Sequence, residues 1–548
     1  MTFGTVDVFG KLLYNGERGS GEAVECAMAT KRLSKPAHGI RVSRIVCSRE
    51  AAPYWLIFGI ALAIRIAHHL IMRGNDPMYG LLLPGGDNYT YHRWAAEIAQ
   101  TFWLGWNRIP FYHGPLYPYF LGLAYLRFGH GQGAAVAANC VLGAGTVVLI
   151  FYLARRVFGK KAGWFSGIGA ACCATFLFYE GEVLAETLVL FVNVLFACLL
   201  VNAVARKSAG AWLLCGGVLG IACLARPNML LLAPAVACWI ILIRPAGARR
   251  TAAAAAVFVA AAAATIAPAT LLNYYVGGQF HLVTHSSFYN LYIGNATDAI
   301  GIFCFPPSMQ AIRAREQQSD QDIPWRRHLW QALRDEPGAL PGNLWLKTKL
   351  FWQSGELHSN VNFYLKRPFS PFLKIPVRWA TAAPLGLIGL AAAFAGKRPK
   401  GLDEERLVLA GFLALYSASI ILIFVLGRLR LTALAILLLF AGYMLSVLAD
   451  AFYAAWKDRS LKPAWVVAVI LLSWAALGLG LKTRDDALLI RWNDYYNLGS
   501  AYEIRGNYAA ALAHYEKAFE QAPHIETLEA MCRDMRHRIR EEEAMRSG

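Results

Sequence analysis

The chain has 548 residues, 57% of them hydrophobic, with a mean hydropathy of +0.39 and a formal net charge of +18. The apolar residues arrive in blocks long enough to cross a bilayer, which excludes a water-soluble globular fold and marks an integral membrane protein. The basic charge does not point to nucleic acid, because much of it lies in short loops between the blocks, where it orients a membrane chain.

Residues 1–53 are Gly-rich and charged without sustained periodicity, so a mostly disordered cytoplasmic arm is expected there. No cleavable signal peptide is apparent, since the first long apolar run begins near Pro53. Blocks near 54–73, 132–154, 162–179, 184–205, 210–225, 228–243, 251–272, 379–396, 407–427, 431–449 and 464–481 read as spans. At about 20 residues a crossing they make roughly eleven. The predicted fold is an all-α polytopic membrane domain over 54–481. Lys and Arg crowd alternate loops, at Lys31, Arg32 and Lys35, then Arg155 to Lys161, Arg206 and Lys207, Arg244 to Arg250, Lys397 to Lys400 and Lys457 to Lys462. That alternation puts the N-terminus in the cytoplasm and, with an odd span count, the C-terminus outside. Most of the eleven cysteines lie within spans, where cysteine acts as a small apolar residue.

Two outer stretches exceed ordinary connectors. In 74–131, the pair Gly85-Gly86 precedes Asp87, and Tyr91, Trp94, Ala95 and Ile98 then fall at i, i+3, i+4 and i+7. This predicts an interfacial helix over 88–102. A second interfacial helix is expected at 115–128. The stretch 273–378, with prolines at 306, 307, 324, 337 and 341, reads as a folded lobe. Within it, Gly294-Asn295 suggests a turn whose glycine supplies an unusual backbone angle. Lys349, Glu356, His358 and Asn360 lead the chain back to the membrane. From Trp492, the positions Tyr495, Leu498, Gly499, Tyr502, Ala511, Tyr515, Ala518 and Pro523 fit a tetratricopeptide repeat, a helix pair of about 34 residues. It spans 492–525, and 526–548 supply a capping helix and tail. A single repeat is expected to pack on the membrane domain or on a protein partner.

The order of Gly85-Gly86-Asp87-Asn88-Tyr89, His113 to Pro118, Ala225-Arg226-Pro227-Asn228, Tyr292 to Ala299 and Gly427-Arg428-Leu429-Arg430-Leu431 resembles the GT-C superfamily. Within it, the chain is most similar to the family 39 glycosyltransferases, which include protein O-mannosyltransferases and lipid A aminoarabinose transferases. The likeness covers roughly 54–450. It implies an inverting transfer of a sugar from a polyprenyl phosphate to a hydroxyl at the outer membrane face. The family's acidic residue in the first outer loop falls on Asp87, as the base for the acceptor hydroxyl; an N-cap of the following helix is the structural alternative. Of Glu180, Glu182 and Glu186 where the third span ends and the fourth begins, Glu186 matches a second acidic position that orients the acceptor or a metal, with solvated caps as the alternative.

Arg226, Arg428 and Arg430 are candidates to hold the donor phosphate, Arg428 and Arg430 resembling an Arg-Tyr-Arg element; snorkelling to lipid headgroups is the alternative. His113, Glu182, Asn295, Glu356 and His358 are candidate acceptor or substrate contacts. Related chains often carry Lys-Pro-Pro where this one has Tyr112-His113-Gly114-Pro115. No cofactor is assigned, a divalent metal stays open, and the histidines show no ligand-spaced motif. The expected partners are a polyprenyl-phosphate-linked sugar, a protein or glycolipid acceptor and a protein on the repeat, with no nucleic acid. The expected location is a bacterial inner membrane with the repeat in the periplasm. A transporter or flippase of lipid-linked sugars and a scaffold of a glycan-assembly complex are the rival functions; no internal duplication of the transporter kind is visible.

Overall fold

A computed structural model describes residues 50–82, 85–101, 109–243, 247–319, 323–358, 360–395, 402–458, 462–480 and 490–547. The expected arm lies almost wholly outside them, as do Arg244, the basic stretch Lys397 to Lys400 and Arg459. Among the described residues every regular element is helical. The chain runs α1 (Ala52–Asn75), α2 (Asp87–Gln100), α3 (Leu116–Phe128), α4 (Gln132–Phe158), α5 (Lys160–Ala171), α6 (Ala174–Glu180), α7 (Glu186–Arg206), α8 (Ala209–Ala225), α9 (Leu232–Ile243) and α10 (Ala248–Gly277). The lobe follows as α11 (Ser287–Asn295), α12 (Pro307–Ser319), α13 (Trp325–Asp335), α14 (Ala339–Trp352) and the short α15 (Phe363–Lys366). The chain then re-enters the bundle as α16 (Trp379–Ala395), α17 (Leu402–Ile421), α18 (Leu431–Asp458) and α19 (Lys462–Gly480), and ends in α20 (Trp492–Ile504), α21 (Tyr508–Gln521) and α22 (Glu526–Ser547).

By length and apolarity, five helices qualify as spans: α1, α4, α7, α10 and the stretch Gly427–Lys457, with α5 and α6 a sixth if the bent pair is one crossing. Ala209–Ala225, Pro227–Leu242 and Trp379–Ala395 are apolar but shorter. The block expected as one span at 162–179 bends by 47° between α5 and α6. The bend frees backbone donors, and the Ala174 N–H finds a carbonyl at Val377, 2.9 Å away. In lipid such groups must be satisfied inside the protein, so the break is stable only because the chain returning from the lobe passes beside it.

Lipid offers helices no hydrophobic drive to associate, and close backbone approach replaces it. A methyl group added at Gly389 on α16 would lie 2.1 Å from the Phe440 carbonyl oxygen of α18. Some polar side chains inside the bundle pair with one another, Arg65 with Glu180 at 2.9 Å and Asn193 with Thr432 at 3.0 Å.

Near the loop end of the bundle, α2 buries Tyr91, Trp94, Ala95 and Ile98, the four residues of the predicted apolar face. It begins one residue earlier than expected, at Asp87, with Gly86 as the N-cap and no side-chain cap. Asp87 is therefore the first helical residue, and its carboxylate is free of the capping role.

Gly294 and Asn295 are not a turn. They are the last residues of α11, and Gly294 has an ordinary negative φ. Glycine is needed there for space, since a Cβ would stand 1.7 Å from the Ile423 carbonyl oxygen. Gly294→Ala is thus expected to push the lobe off the bundle at a cost of about 3 kcal/mol or more. The expected result is a clearly lowered melting temperature for the purified variant, and a wild-type melting curve would refute the steric account.

Candidate active site

Four side chains from distant points of the chain meet where α2, α7, the end of α8 and the turn before α18 converge. Asp87 Oδ2 accepts from Arg428 Nη1 and from Asn360 Nδ2, each at 2.8 Å. Arg428 Nη1 also lies 3.5 Å from Glu186 Oε1, and that oxygen accepts from Arg226 Nη2 at 2.7 Å. The result is an alternating row of Asp87, Arg428, Glu186 and Arg226. Asp87 at one end of the row is 25% exposed at its side chain and Arg226 at the other is 15% exposed, while Glu186 between the two arginines is 1% exposed. His113 Nε2 stands 3.8 Å from Asp87 Oδ1, and its ring lies against Tyr91, centroids 5.0 Å apart.

Not every polar atom in this row is satisfied. Arg226 Nη1, Arg428 Nε and Glu186 Oε2 are buried and have no hydrogen-bond partner among the described residues. A buried donor left unpaired costs about 1–3 kcal/mol, and more when charged. Two guanidinium groups with open N–H arms at one place are therefore set for an anionic ligand with oxygen acceptors.

Burial by itself would raise the Asp87 carboxyl. The Arg428 guanidinium, His113 and the hydrogen bonds from Arg428 and Asn360 outweigh it and hold the group at about 2. Burial pulls the His113 imidazole down, against the opposing pull of Asp87, so it is neutral near pH 7. Burial, reinforced by Asp87 and Glu186, raises the Tyr91 hydroxyl, which keeps its proton.

The remaining predicted site residues lie elsewhere. Arg430 turns away from Asp87: it donates to the carbonyls of Phe351 and Gln353 at 3.2 and 2.8 Å and to that of Gly355, and it pairs with Glu356 at 3.4 Å. Its guanidinium also covers the Trp379 ring at 4.6 Å. Glu356 and Arg430 thus tie the lobe to the bundle. Asn295 bonds the carbonyls of Leu291 and Leu422 and accepts from Lys347 at 2.7 Å. Lys347, fully buried among neutral acceptors, is drawn down to about 8 by its burial.

Glu182 pairs with Lys366, which also holds Asp76 at 3.1 Å. His358 faces the repeat, with Nε2 2.6 Å from Asp494. None of the three glutamates is a solvated cap; Glu180, Glu182 and Glu186 are all buried, each against a different cation. Sequence reasoning named Asn360 without a role and read Tyr91 only as part of an apolar face. Asn360 lies 273 positions from Asp87, and only the fold brings them together. No group of three or more His, Cys, Asp or Glu side chains converges as a metal site among the described residues.

Residues 112–273 match the dolichyl-phosphate-mannose-protein mannosyltransferase family, and 493–525 match the tetratricopeptide repeat. The first match takes in His113, Glu186 and Arg226; Asp87 and Arg428 lie outside it. A comparison with curated proteins gave no match. Among solved structures, the chain is similar to the Archaeoglobus fulgidus oligosaccharyltransferase in complex with Zn and sulfate, at 15% identity over 78% of this chain and 52% of that one, TM-score 0.46. It is also similar to the oligosaccharyltransferase AglB of the same organism with an inhibitory peptide and a dolichol-phosphate, at 14% identity over 79% and 56%, TM-score 0.41. A third is ArnT from Cupriavidus metallidurans bound to undecaprenyl phosphate, at 15% identity over 85% and 80%, TM-score 0.45. The chain spans about half the length of the two archaeal chains. Among the described residues the chain's regular structure is helical throughout, with several membrane-type helices; it carries a segment at 112–273 that matches the mannosyltransferase family and a tetratricopeptide repeat at 493–525.

Proposed function

We propose that the chain is an inverting glycosyltransferase that moves a sugar from a polyprenyl-phosphate donor to a hydroxyl of a protein or glycolipid acceptor at the outer membrane face. The observation that carries this reading is the ionised Asp87 beside two arginines whose buried arms have no partner. In the transfer, the acceptor oxygen forms a bond to the sugar's anomeric carbon as the bond from that carbon to the phosphate oxygen breaks. The hydroxyl proton goes to Asp87, and the bonding electrons go to the polyprenyl phosphate. Arg428 and Arg226 are placed to meet the negative charge that grows on the leaving phosphate. Glu186 holds both arginines in register, with His113 beside the base. The carboxylates are already neutralised by guanidinium groups, so the residues do not fit a resident divalent cation and no step runs through one. On this reading the N-terminus is cytoplasmic and the repeat lies outside, in the periplasm of a bacterial inner membrane.

The protein in detergent, incubated with a panel of polyprenyl-phosphate sugars and a cell-derived acceptor extract, is expected to release free polyprenyl phosphate. Release from no donor, by folded protein, would overturn the reading.

The electrostatics also predict a pH signature. With Arg428 on it, Asp87 is a weak base. A donor phosphate that takes up part of the Arg428 charge removes that support, so the proton affinity of Asp87 rises in the complex. The donor is a phosphodiester and does not titrate in the working range. Consequently kcat/KM, which reports the free enzyme, is expected to stay flat down to acid unfolding, while kcat acquires an acid limb. Coincident limbs would show that Arg428 does not hand its charge to the donor. For stability the sign is that of a depressed carboxylate: the pair with Arg428 contributes above the ordinary value of 3.8 and is lost as pH falls through about 2.

A further inference from the structure

The repeat is joined to the site by a short run of buried polar contacts. Asp494, in the first turn of α20, has a side chain only 5% exposed. Its Oδ2 receives the Arg491 backbone N–H at 2.8 Å and Asn362 Nδ2 at 3.0 Å, and stands 2.6 Å from His358 Nε2. A carboxylate bonded on both sides of an interface is a strong, directional anchor. His358 and Asn362 flank Asn360 by two residues on each side, and Asn360 Nδ2 donates to Asp87 at 2.8 Å. Asn362 is itself fixed, since its Oδ1 caps α15 by accepting from the Tyr364 and Leu365 N–H groups. Just past α20, Arg505 donates to the carbonyls of Pro77 and Tyr79, both at 2.7 Å, in the loop that leads to Asp87. The repeat thus grips both segments that meet at the carboxylate.

We propose that the tetratricopeptide repeat positions the catalytic carboxylate: Asp494 acts through Asn362, with His358 packed beside it, to hold Asn360 on Asp87. Asp494 is a positioning residue here, and the inference rests on Asp87 being the base of the proposed transfer. A misplacement of about 1 Å far from the chemistry can cost two orders of magnitude in rate, so a repeat that sets the lie of one hydrogen bond also sets turnover. The groups facing Asp87 are Arg428, His113, Glu186, Tyr91 and Asn360. Only Asn360 is tied to the repeat by the contacts above.

The test uses Asp494→Asn in the full chain. The expected result is a kcat lower by about tenfold with donor KM unchanged. The acid limb of kcat should move to higher pH, because Asp87 loses a donor to its charged form. Asn360→Ala should produce the same shift, and the double variant should be no worse than Asn360→Ala alone, since both act through one bond. Additive losses, or a folded Asp494→Asn with a wild-type kcat and limb, would overturn the proposal. Amide hydrogen exchange gives a readout independent of activity. Protection over 356–366 and in the first turn of α2 should fall in Asp494→Asn, and first-turn protection should fall in Arg505→Ala, which loosens the repeat at residues 77 and 79 only. Wild-type protection in both variants would also overturn it. A wild type that transfers no sugar but shows this loosening would sink the glycosyltransferase reading and leave the positioning role standing.

Discussion

Asp87→Asn is expected to lower sugar transfer by about 10²–10⁴-fold, the range a positioned general base supplies, while leaving the fold and donor binding in place. The replacement keeps the size of the side chain, and its carbonyl oxygen can still accept from Arg428. It loses the negative charge and the capacity to take the acceptor's proton. Arg428, no longer neutralised by Asp87, keeps Glu186 at 3.5 Å and becomes more attractive to a phosphate. Donor affinity should therefore hold or tighten while kcat collapses, the pattern of an interaction made only in the transition state. The cation left behind, Arg428, is 16% exposed at its side chain and keeps Glu186 as counter-charge, so it is not stranded in the interior. Single-turnover rates, donor titration and melting curves on the same preparation check all three statements. Transfer within tenfold of wild type by folded Asp87→Asn would remove Asp87 from the chemistry.

Much of the helical architecture was legible because a bilayer imposes a length and a composition that sequence displays directly. The apolar face of α2 was read residue for residue from Tyr91, Trp94, Ala95 and Ile98. The kink between α5 and α6 was not, because Cys172-Cys173 stand at the break, with the nearest glycines, Gly167 and Gly169, still inside α5, and its freed donor is satisfied from Val377, about two hundred residues away. At the site, Asp87, Glu186, Arg226 and Arg428 were named on motifs that resemble a known family, and the structure brings them together. Asn295, Glu356 and Arg430 were named alongside them, yet they bind the lobe to the bundle. A motif match does not separate a polar group kept for a ligand from one kept for a tertiary contact. Asn360 carried no such signal; an uncharged residue in a loop is unremarkable until the fold sets it against Asp87.

The pair Arg428 and Arg430 shows why spacing misleads and how to separate the two roles. Two residues apart in a strand, both would face the same way. Here they lie on the 3₁₀ turn Gly427–Arg430, where at about three residues per turn an i, i+2 pair points in different directions. One guanidinium reaches Asp87 and Glu186; the other is 1% exposed and bound to three carbonyls and Glu356. Arg428→Ala is accordingly expected to lower kcat/KM by about 10²–10³-fold, with donor KM raised, since it removes a preorganised donor to the leaving phosphate. The melting temperature should fall only modestly, by the contribution of the pair with Asp87, because Asp87 is partly exposed and Glu186 keeps Arg226 at 2.7 Å. Arg430→Ala takes the guanidinium away from three carbonyls and a buried glutamate, a loss of about 3–5 kcal/mol. It should therefore reveal itself first as unfolding or a large drop in melting temperature. Burial already raises the Glu356 carboxyl and Arg430 opposes it, so Glu356 should take up a proton in that variant and blunt the loss at acid pH. Melting curves and donor KM measured side by side decide the matter. A stable Arg430→Ala protein with a raised donor KM would place Arg430 back at the phosphate, and an unfolded Arg428→Ala would show that the row from Asp87 to Arg226 holds the fold together rather than the donor.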